Sequence, residues 1–155
     1  MRLLFVCTGN ICRSPTAEAV VRAKADAAGL TDLVLDSVGT TGYHVGEPPD
    51  PRARMAAQAR GYDLGGLHAR QLRSGDVDRW DLLLAMDRGH LRQMERLFGR
   101  KKTGRLRLFM QFAPDRGDEV PDPYYGAAEG FTTMMDLIEA GADGLLAAIR
   151  RGELA

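Results

Sequence analysis

Short, nearly continuous apolar runs alternate along this chain with segments of helical periodicity, and this alternation constrains the fold more than any other feature. Four runs, at 3–6, 33–35, 82–86 and, more weakly, 106–109, have the length and composition of strands buried on both faces. Strands of this kind belong to parallel sheets whose two faces are covered by helices. The sequence therefore predicts an α/β fold with a single open, four-stranded parallel sheet, doubly wound and Rossmann-like.

Helical segments lie between these runs, and proline, aspartate and glycine mark their ends at 15–29, 51–60 and 87–99. The last segment carries apolar residues at a sustained helical spacing from Phe131 to Ile149, which predicts one long helix packed on the sheet. Gly141 and Gly144 should each weaken that helix by roughly 1 kcal/mol relative to alanine.

Composition limits the function classes that fit such a fold. The chain has 155 residues, enough for one domain, and 21 basic against 21 acidic side chains give a formal net charge of zero. No overall field attracts nucleic acid or anionic lipid, and no apolar run approaches the ~18 residues that span a bilayer. We therefore expect one cytoplasmic domain over residues 1–155, with neither nucleic acid nor a membrane as partner.

The turn after the first strand has the composition of an anion-binding loop. Residues 7–14 read CTGNICRS, and Pro15 follows. Five residues between Cys7 and Arg13 suffice to wrap the backbone into a semicircle of converging N–H groups, with Gly9 taking the positive φ that the wrap needs. The helix N-terminus and the Arg13 guanidinium add positive charge. We expect this loop to bind phosphate through Thr8, Gly9, Asn10, Ile11 and Cys12.

A cysteine at the floor of such a loop is a candidate nucleophile, because donors that hold an anion also stabilise a thiolate. Cys7 occupies that position. Ser14 is compatible with two roles, a hydrogen bond to the Cys7 sulfur or a helix N-cap. Cys12 also has two interpretations, a reversible protective disulfide with Cys7 or a small buried side chain. Asn10 is expected to brace the loop through side-chain hydrogen bonds.

The segment 111–130 is the candidate source of a catalytic acid, which must protonate the leaving oxygen when a phosphate monoester is cleaved. It contains three prolines and lacks a periodic pattern, and segments of this length are commonly functional. Among Asp115, Asp118, Glu119 and Asp122 of this segment, only Asp122 precedes a proline, which gives its carboxyl a defined direction. Tyr124 and Tyr125 are either a wall for a flat substrate ring or cover for the core.

Two motifs resemble the low-molecular-weight protein tyrosine phosphatase family of bacterial type: FVCTGNICRSP at 5–15 and DPYY at 122–125. Shorter stretches at 37–40, 46–52, 68–71 and 86–87 are similar to the family too, so the likeness covers nearly the whole chain. The resemblance implies Cys7 as nucleophile, Arg13 as phosphate clamp, Asp122 as general acid and then base, and Ser14 as partner of the thiolate. It also implies that Asn10, Ser37 and His68 buttress the loop, with support from Asp87.

The resemblance further implies hydrolysis of phosphotyrosine in proteins, and of small aryl phosphates, through a phosphocysteine intermediate. Phosphate and other oxyanions would be ligands, with no cofactor and no metal, and the protein would be a monomer or weak dimer. Tyr43 lies where the family often has tryptophan on one wall of the cleft, facing Tyr124 and Tyr125. His90 stands where an asparagine often follows the Met-Asp pair.

Three other functions fit parts of this pattern. A relative within the family removes phosphate from protein arginine, and there threonine tends to precede the second cysteine, where this chain has Ile11. Related arsenate reductases use further cysteines downstream, and none follows Cys12. A catalytically silent phosphopeptide-binding module would lack the thiol or the acid, whereas Cys7 and Asp122 are both present. Ile11 and the paired tyrosines therefore favour phosphotyrosine.

Overall fold

A four-stranded parallel sheet forms the centre of the computed structural model, which describes residues 1–99 and 104–154. Its strands are β1 (Arg2–Cys7), β2 (Val34–Gly39), β3 (Leu82–Ala85) and β4 (Leu106–Leu108), in the order β2-β1-β3-β4. β1 pairs in parallel with β2 on one side and with β3 on the other. The predicted open, four-stranded parallel sheet is confirmed.

Helices cover both faces of the sheet. They are α1 (Arg13–Ala27), α2 (Pro51–Gln58), α3 (Asp76–Arg79), α4 (Arg88–Phe98) and α5 (Glu129–Arg150). α1 packs against α5 on one face, and α4 packs against β3 and β4 on the other. Within the described ranges, no helix has the length and apolarity needed to cross a membrane.

The two faces of β1 belong to two separate apolar cores, as its continuous apolar run predicts. Leu3 and Phe5 lie in the larger core beneath α1 and α5, whereas Leu4 and Val6 lie in a smaller core that includes Met94 of α4. β3 alternates in the same way. The central strand is therefore fixed from both sides, and so is the position at which it ends, Cys7.

Two details differ from the sequence expectations. β2 begins at Val34 and continues to Gly39, whereas the apolar run ends at residue 35. The run underestimates the strand because this edge strand includes the polar residues 36–37. In α5 the glycines serve packing: a Cβ at Gly141 would lie 2.4 Å from a ring carbon of Phe109, and one at Gly144 would lie 1.8 Å from the carbonyl oxygen of Phe112. Their low helix propensity accompanies a close approach to residues 109–112.

The connections place a crevice at the carboxyl end of β1. The chain leaves β1 for β2 at one edge and later returns to β3 on the opposite side, so the direction of winding reverses there. In open α/β sheets, ligands bind outside the carboxyl ends of the strands at such a point. The loop at 8–12 occupies this position.

Candidate active site

The loop that joins β1 to α1 directs its carbonyl groups towards neighbouring segments. The Thr40 N–H donates to the Cys7 carbonyl (2.8 Å), the Thr41 N–H to the Thr8 carbonyl (3.0 Å), and the Asp50 N–H to the Ile11 carbonyl (2.8 Å). Within residues 1–99 and 104–154, no acceptor pairs with the N–H groups of residues 8–14. A row of backbone donors without protein partners, at the start of a helix, is an anion-binding arrangement.

Asn10 is the residue that turns this loop. Its φ is +58°, whereas Gly9, which the sequence analysis expected to carry the positive φ, has no such value. Asparagine tolerates the left-handed region better than other side chains. Its amide Nδ2 donates to Ser14 Oγ (2.8 Å) and to Ser37 Oγ (2.9 Å), and its Oδ1 accepts from the Arg70 N–H (3.0 Å). The bracing of the loop by Asn10 and Ser37 is thus present as direct contacts.

Glycines at two positions let other segments approach the loop. A Cβ at Gly9 would lie 2.8 Å from Cδ2 of His44, and one at Gly39, at the end of β2, would lie 2.6 Å from the Thr8 carbonyl oxygen. Gly9 is therefore required by close packing against the cleft wall rather than by its own φ.

A chain of hydrogen bonds connects Cys7 to a buried carboxylate. Ser37 Oγ donates to Glu18 Oε1 (2.8 Å), so Ser37 accepts from Asn10. Ser14 Oγ also accepts from Asn10, and it lies 3.0 Å from Cys7 Sγ. The Ser14 proton has two acceptors within reach, the Val38 carbonyl (3.2 Å) and a thiolate at Cys7, and the charged sulfur is the stronger of the two. Of the two roles considered for Ser14, the geometry provides the hydrogen bond to sulfur, and the side chain makes no cap to α1.

Cys12 lies in the same loop as Cys7, in surroundings that disfavour its thiolate form. Burial, the carboxylate of Asp50 and the neighbouring Cys7 sulfur raise its pKa to about 12, so Cys12 is a neutral thiol at neutral pH. Both cysteines are free and buried. The geometry agrees with a small buried side chain, and the protective disulfide with Cys7 stays a prediction.

The Arg13 guanidinium is buried and oriented by protein oxygens. Nη1 donates to Asp87 Oδ2 (2.9 Å) and to the Val120 carbonyl (2.9 Å), and Nη2 donates to Thr8 Oγ1 (3.3 Å). Burial disfavours the Asp87 carboxylate, but the His90 backbone N–H, the His90 side chain and Arg13 outweigh it and lower the pKa of Asp87. Nε has no hydrogen-bond partner in the described part of the chain, so that edge of the fork is available to an anion in the loop.

Asp122 is the one acid of its segment that lines the cleft. Its Oδ2 lies 3.7 Å from Arg13 Nη2, and its Oδ1 accepts from the Tyr124 N–H (3.0 Å), which fixes the direction of the carboxyl. Asp118 and Glu119 instead bond Arg88 at the start of α4. Asp122 is 39% exposed and therefore accessible to a leaving group and to water.

The cleft above the loop has aromatic walls. Its lining residues come from the loop after β1, from 41–44 and from the segment 111–130: Cys7, Thr8, Gly9, Ile11, Cys12, Arg13, Thr41, Tyr43, His44, Asp122, Tyr124 and Tyr125. His44 rather than Tyr43 lies across from Tyr124, with ring centroids 6.4 Å apart. Tyr43 and Tyr125 are 87% and 89% exposed, so both form the outer rim.

Arg52 ties the acid segment to α2. Its Nη1 donates to the Tyr124 carbonyl (3.1 Å), and its guanidinium lies over the Tyr124 ring (5.1 Å) and the Phe131 ring (4.8 Å). Asp50, the N-cap of α2, holds Arg52 through both carboxylate oxygens, and these bonds lower the pKa of Asp50. The position of Tyr124 in the cleft wall is thus fixed by Arg52, which Asp50 of α2 holds in turn.

Comparison with known proteins identifies the family. The model of the low molecular weight phosphotyrosine protein phosphatase family matches residues 2–154. The chain belongs to this family. A Streptomyces coelicolor low molecular weight protein-tyrosine-phosphatase is 47% identical over 154 residues, which cover 96% of this chain and 93% of the relative. A human low molecular weight phosphotyrosine protein phosphatase is 36% identical over 135 residues, or 85% of each chain.

Solved structures of similar proteins support the assignment of the fold. A protein tyrosine phosphatase from Entamoeba histolytica, crystallised with Hepes in the active site, superposes with a TM-score of 0.94 at 35% identity and covers 99% of both chains. YfkJ from Bacillus subtilis superposes with a TM-score of 0.93 at 36% identity, covering 98% of this chain and 96% of that one. The family assignment made from sequence motifs is confirmed.

His68 does not buttress the loop of this phosphatase. Its ring is exposed and its Nδ1 pairs with the Gly66 carbonyl (3.2 Å). The backbone N–H of Arg70 donates to Asn10 instead, and the Arg70 guanidinium is held by Asp36 and Asp76. The role of His68 was implied only by the family resemblance, and a backbone donor such as the Arg70 N–H leaves no signature in residue type.

Three further residues of the site were missed or left without a role. Glu18 is an acid among the buried positions of α1, where it pairs with Arg22 one helical turn later (2.8 Å) and accepts from Ser37. An acid at a buried helix position is the one sequence signal that could have found it. His90 was noted only as a departure from the family. Val120 contributes its carbonyl to Arg13, and nothing in its side chain indicates that role.

Proposed function

We propose that this phosphatase hydrolyses phosphotyrosine in proteins through a phosphocysteine intermediate on Cys7. The observation that carries the proposal is the set of unpaired amides at 8–14 directly after Cys7, in a cleft that Cys7 and Asp122 both line. Phosphoryl transfer depends mainly on positioning and on charge stabilisation, and these groups supply both.

In the first step, the Cys7 thiolate attacks phosphorus and the bond from phosphorus to the tyrosyl oxygen breaks. Asp122, protonated at this stage, transfers its proton to that oxygen, so tyrosine leaves as a neutral phenol. The loop amides and Arg13 stabilise the charge on the non-bridging oxygens. The Ser14 hydroxyl, 3.0 Å from the sulfur, stabilises the thiolate before attack.

In the second step, water attacks phosphorus and transfers a proton to the Asp122 carboxylate. The bond from sulfur to phosphorus breaks, and orthophosphate and the Cys7 thiolate are released. Ser14 again faces the sulfur as it becomes a leaving group. The cycle restores both Cys7 and Asp122 to their starting protonation states.

The substrate class follows from the walls of the cleft. Ile11 and the tyrosines at 124 and 125 offer apolar and aromatic surface to a flat ring. A Drosophila arginine phosphatase has the same fold, with a TM-score of 0.89 at 26% identity. Protein-arginine phosphatase activity is therefore the second candidate, and Ile11 favours phosphotyrosine over it.

The setting of the protein is part of the proposal. We infer that residues 1–155 work as one domain, as a monomer or weak dimer, in the cytoplasm, where a thiol nucleophile stays reduced. The formal net charge of zero supports protein substrates over nucleic acid.

The experiment compares initial rates on a phosphotyrosine peptide, the matching phosphoarginine peptide and arsenate, with a metal chelator present. We expect hydrolysis of phosphotyrosine, no turnover by Cys7→Ser, and a kcat reduced about 100- to 10,000-fold by Asp122→Asn. Asp115→Asn is the matched control, because Asp115 lies in the same segment but is 83% exposed and does not line the cleft. Faster hydrolysis of phosphoarginine, or full activity in Asp122→Asn, would overturn the proposal.

A further inference from the structure

His90 occupies a buried position behind the phosphate loop. It is the third residue of α4, only 3% exposed, and its backbone N–H donates to Asp87 Oδ1 (2.9 Å) at the helix N-cap. Its Nε2 lies 2.8 Å from Thr8 Oγ1 and 3.5 Å from Arg13 Nη2. The ring therefore contacts both the first residue of the loop and the phosphate clamp.

The donors around the ring determine its tautomer. A guanidinium has only donors, so Nε2 can face Arg13 Nη2 only with its lone pair. Thr8 Oγ1 accepts from the same Nη2 (3.3 Å), and its own proton is then directed to Nε2. The ring proton is consequently on Nδ1, which lies 3.1 Å from Asp87 Oδ1. Nδ1 makes no aligned hydrogen bond within the described residues, so its proton faces the Asp87 carboxylate through an electrostatic contact, whereas a lone pair at Nδ1 would be repelled there.

Charge around the ring favours the same neutral form. Burial and the adjacent Arg13 lower the pKa of His90 to about 4, although Asp87 and Asp122 oppose the shift. A proton on Nε2 would remove the acceptor for Thr8 and would add a second cation beside the guanidinium. His90 is thus a neutral acceptor at the pH at which phosphate esters are dianions.

We propose that His90 is a positioning residue for the reaction. Its Nε2 lone pair holds the Thr8 hydroxyl and Nη2 of Arg13, so that the edge of the guanidinium that carries Nε faces the phosphoryl group. His90 itself does not touch the substrate, because it does not line the cleft. The inference rests on the proposed function, since it assigns the arrangement to phosphoryl binding.

The test compares His90→Phe, which keeps a ring but has no acceptor, with His90→Gln, whose amide oxygen restores one. Calorimetry measures binding of orthophosphate, and kinetics measure kcat and KM on an aryl phosphate. We expect His90→Phe to weaken orthophosphate binding and lower kcat about 10-fold, and His90→Gln to recover most of both. Equal losses in the two variants, or no loss in His90→Phe, would overturn the inference.

Two measurements keep this test independent of folding and of the proposed substrate. Orthophosphate binding needs no turnover, so a protein inactive on phosphotyrosine would still show the 10-fold difference if His90 positions the clamp. The ¹⁵N shifts of the His90 ring in the unaltered protein report the tautomer directly. We expect protonation at Nδ1 alone, and protonation at Nε2 at neutral pH would overturn the inference even if His90→Phe failed to fold.

Discussion

The floor and the walls of the cleft are built in opposite ways. On the floor, Cys7, Asn10, Arg13 and Ser14 are all buried, and hydrogen bonds fix each side chain. On the walls, the outer aromatic rings are almost fully exposed, and the acid segment is connected to the rest of the site mainly through Arg13 and Arg52. One half of the site is rigid and charged, and the other is exposed and apolar.

This difference matches what each half has to do. Stabilising a phosphoryl group requires donors that are already oriented, because reorganisation during the reaction would raise the barrier. Accepting protein substrates of varied sequence requires contacts that adjust. The comparison therefore assigns kcat to the floor and to Asp122, and KM to the aromatic rings of the walls, and substitutions in the two sets should separate these parameters.

Among substitutions that keep the charge of the side chain, the largest effect is expected for Arg13→Lys. Lysine retains the charge but cannot bond Asp87 and the Val120 carbonyl while presenting a planar edge to phosphate. We expect kcat to fall about 100- to 1,000-fold, as it does when a preorganised donor is lost. Steady-state kinetics on an aryl phosphate check this, with the surface variant Arg92→Lys as control. A change confined to KM would contradict the division between floor and walls.

A smaller effect is expected for Arg52→Lys on the wall. The ammonium cannot bond both Asp50 oxygens and the Tyr124 carbonyl, and it loses planar contact with two rings. We expect KM to rise about 3- to 10-fold with kcat nearly unchanged, in line with the strength of cation–π contacts. Tyr125→Ala, which removes an exposed ring, serves as a comparison and should alter KM for small aryl phosphates by no more than about twofold. A loss in kcat larger than the rise in KM would show that Arg52 contributes to the chemical step and not only to the aromatic wall.

The fold was predictable because the strands are buried on both faces. Continuous apolar runs as short as those at β1 and β3 are typical of strands buried on both faces of a sheet. The alternation of strands and helices along the chain then predicts a parallel sheet. β2 was placed less well, since an edge strand mixes polar and apolar residues. The packing of Gly141 and Gly144 against residues 109–112 depends on a contact between distant segments, which helix propensity does not report.

Site residues were predictable where the chemistry requires a particular side chain, and unpredictable where the backbone supplies the hydrogen bond. Cys7, Arg13 and Asp122 stand out because thiolate, guanidinium and carboxyl groups at this spacing have few other uses. The Arg70 N–H that holds Asn10 could be supplied by any residue other than proline, so its position carries no signal. The role of His90 follows only from the donors that surround it in space.

Phosphoryl binding in this cleft requires a floor that is formed before the anion arrives. Crystal structures of the protein without ligand and with bound tungstate test this directly, since tungstate has the shape of the phosphoryl oxyanion. We expect the backbone of residues 7–14 to superpose within coordinate error, with tungstate oxygens accepting from the loop amides and from Arg13, while the side chains of Tyr43 and Tyr125 differ. A loop that rearranges around tungstate, or an anion bound away from the Cys7 sulfur, would contradict the account.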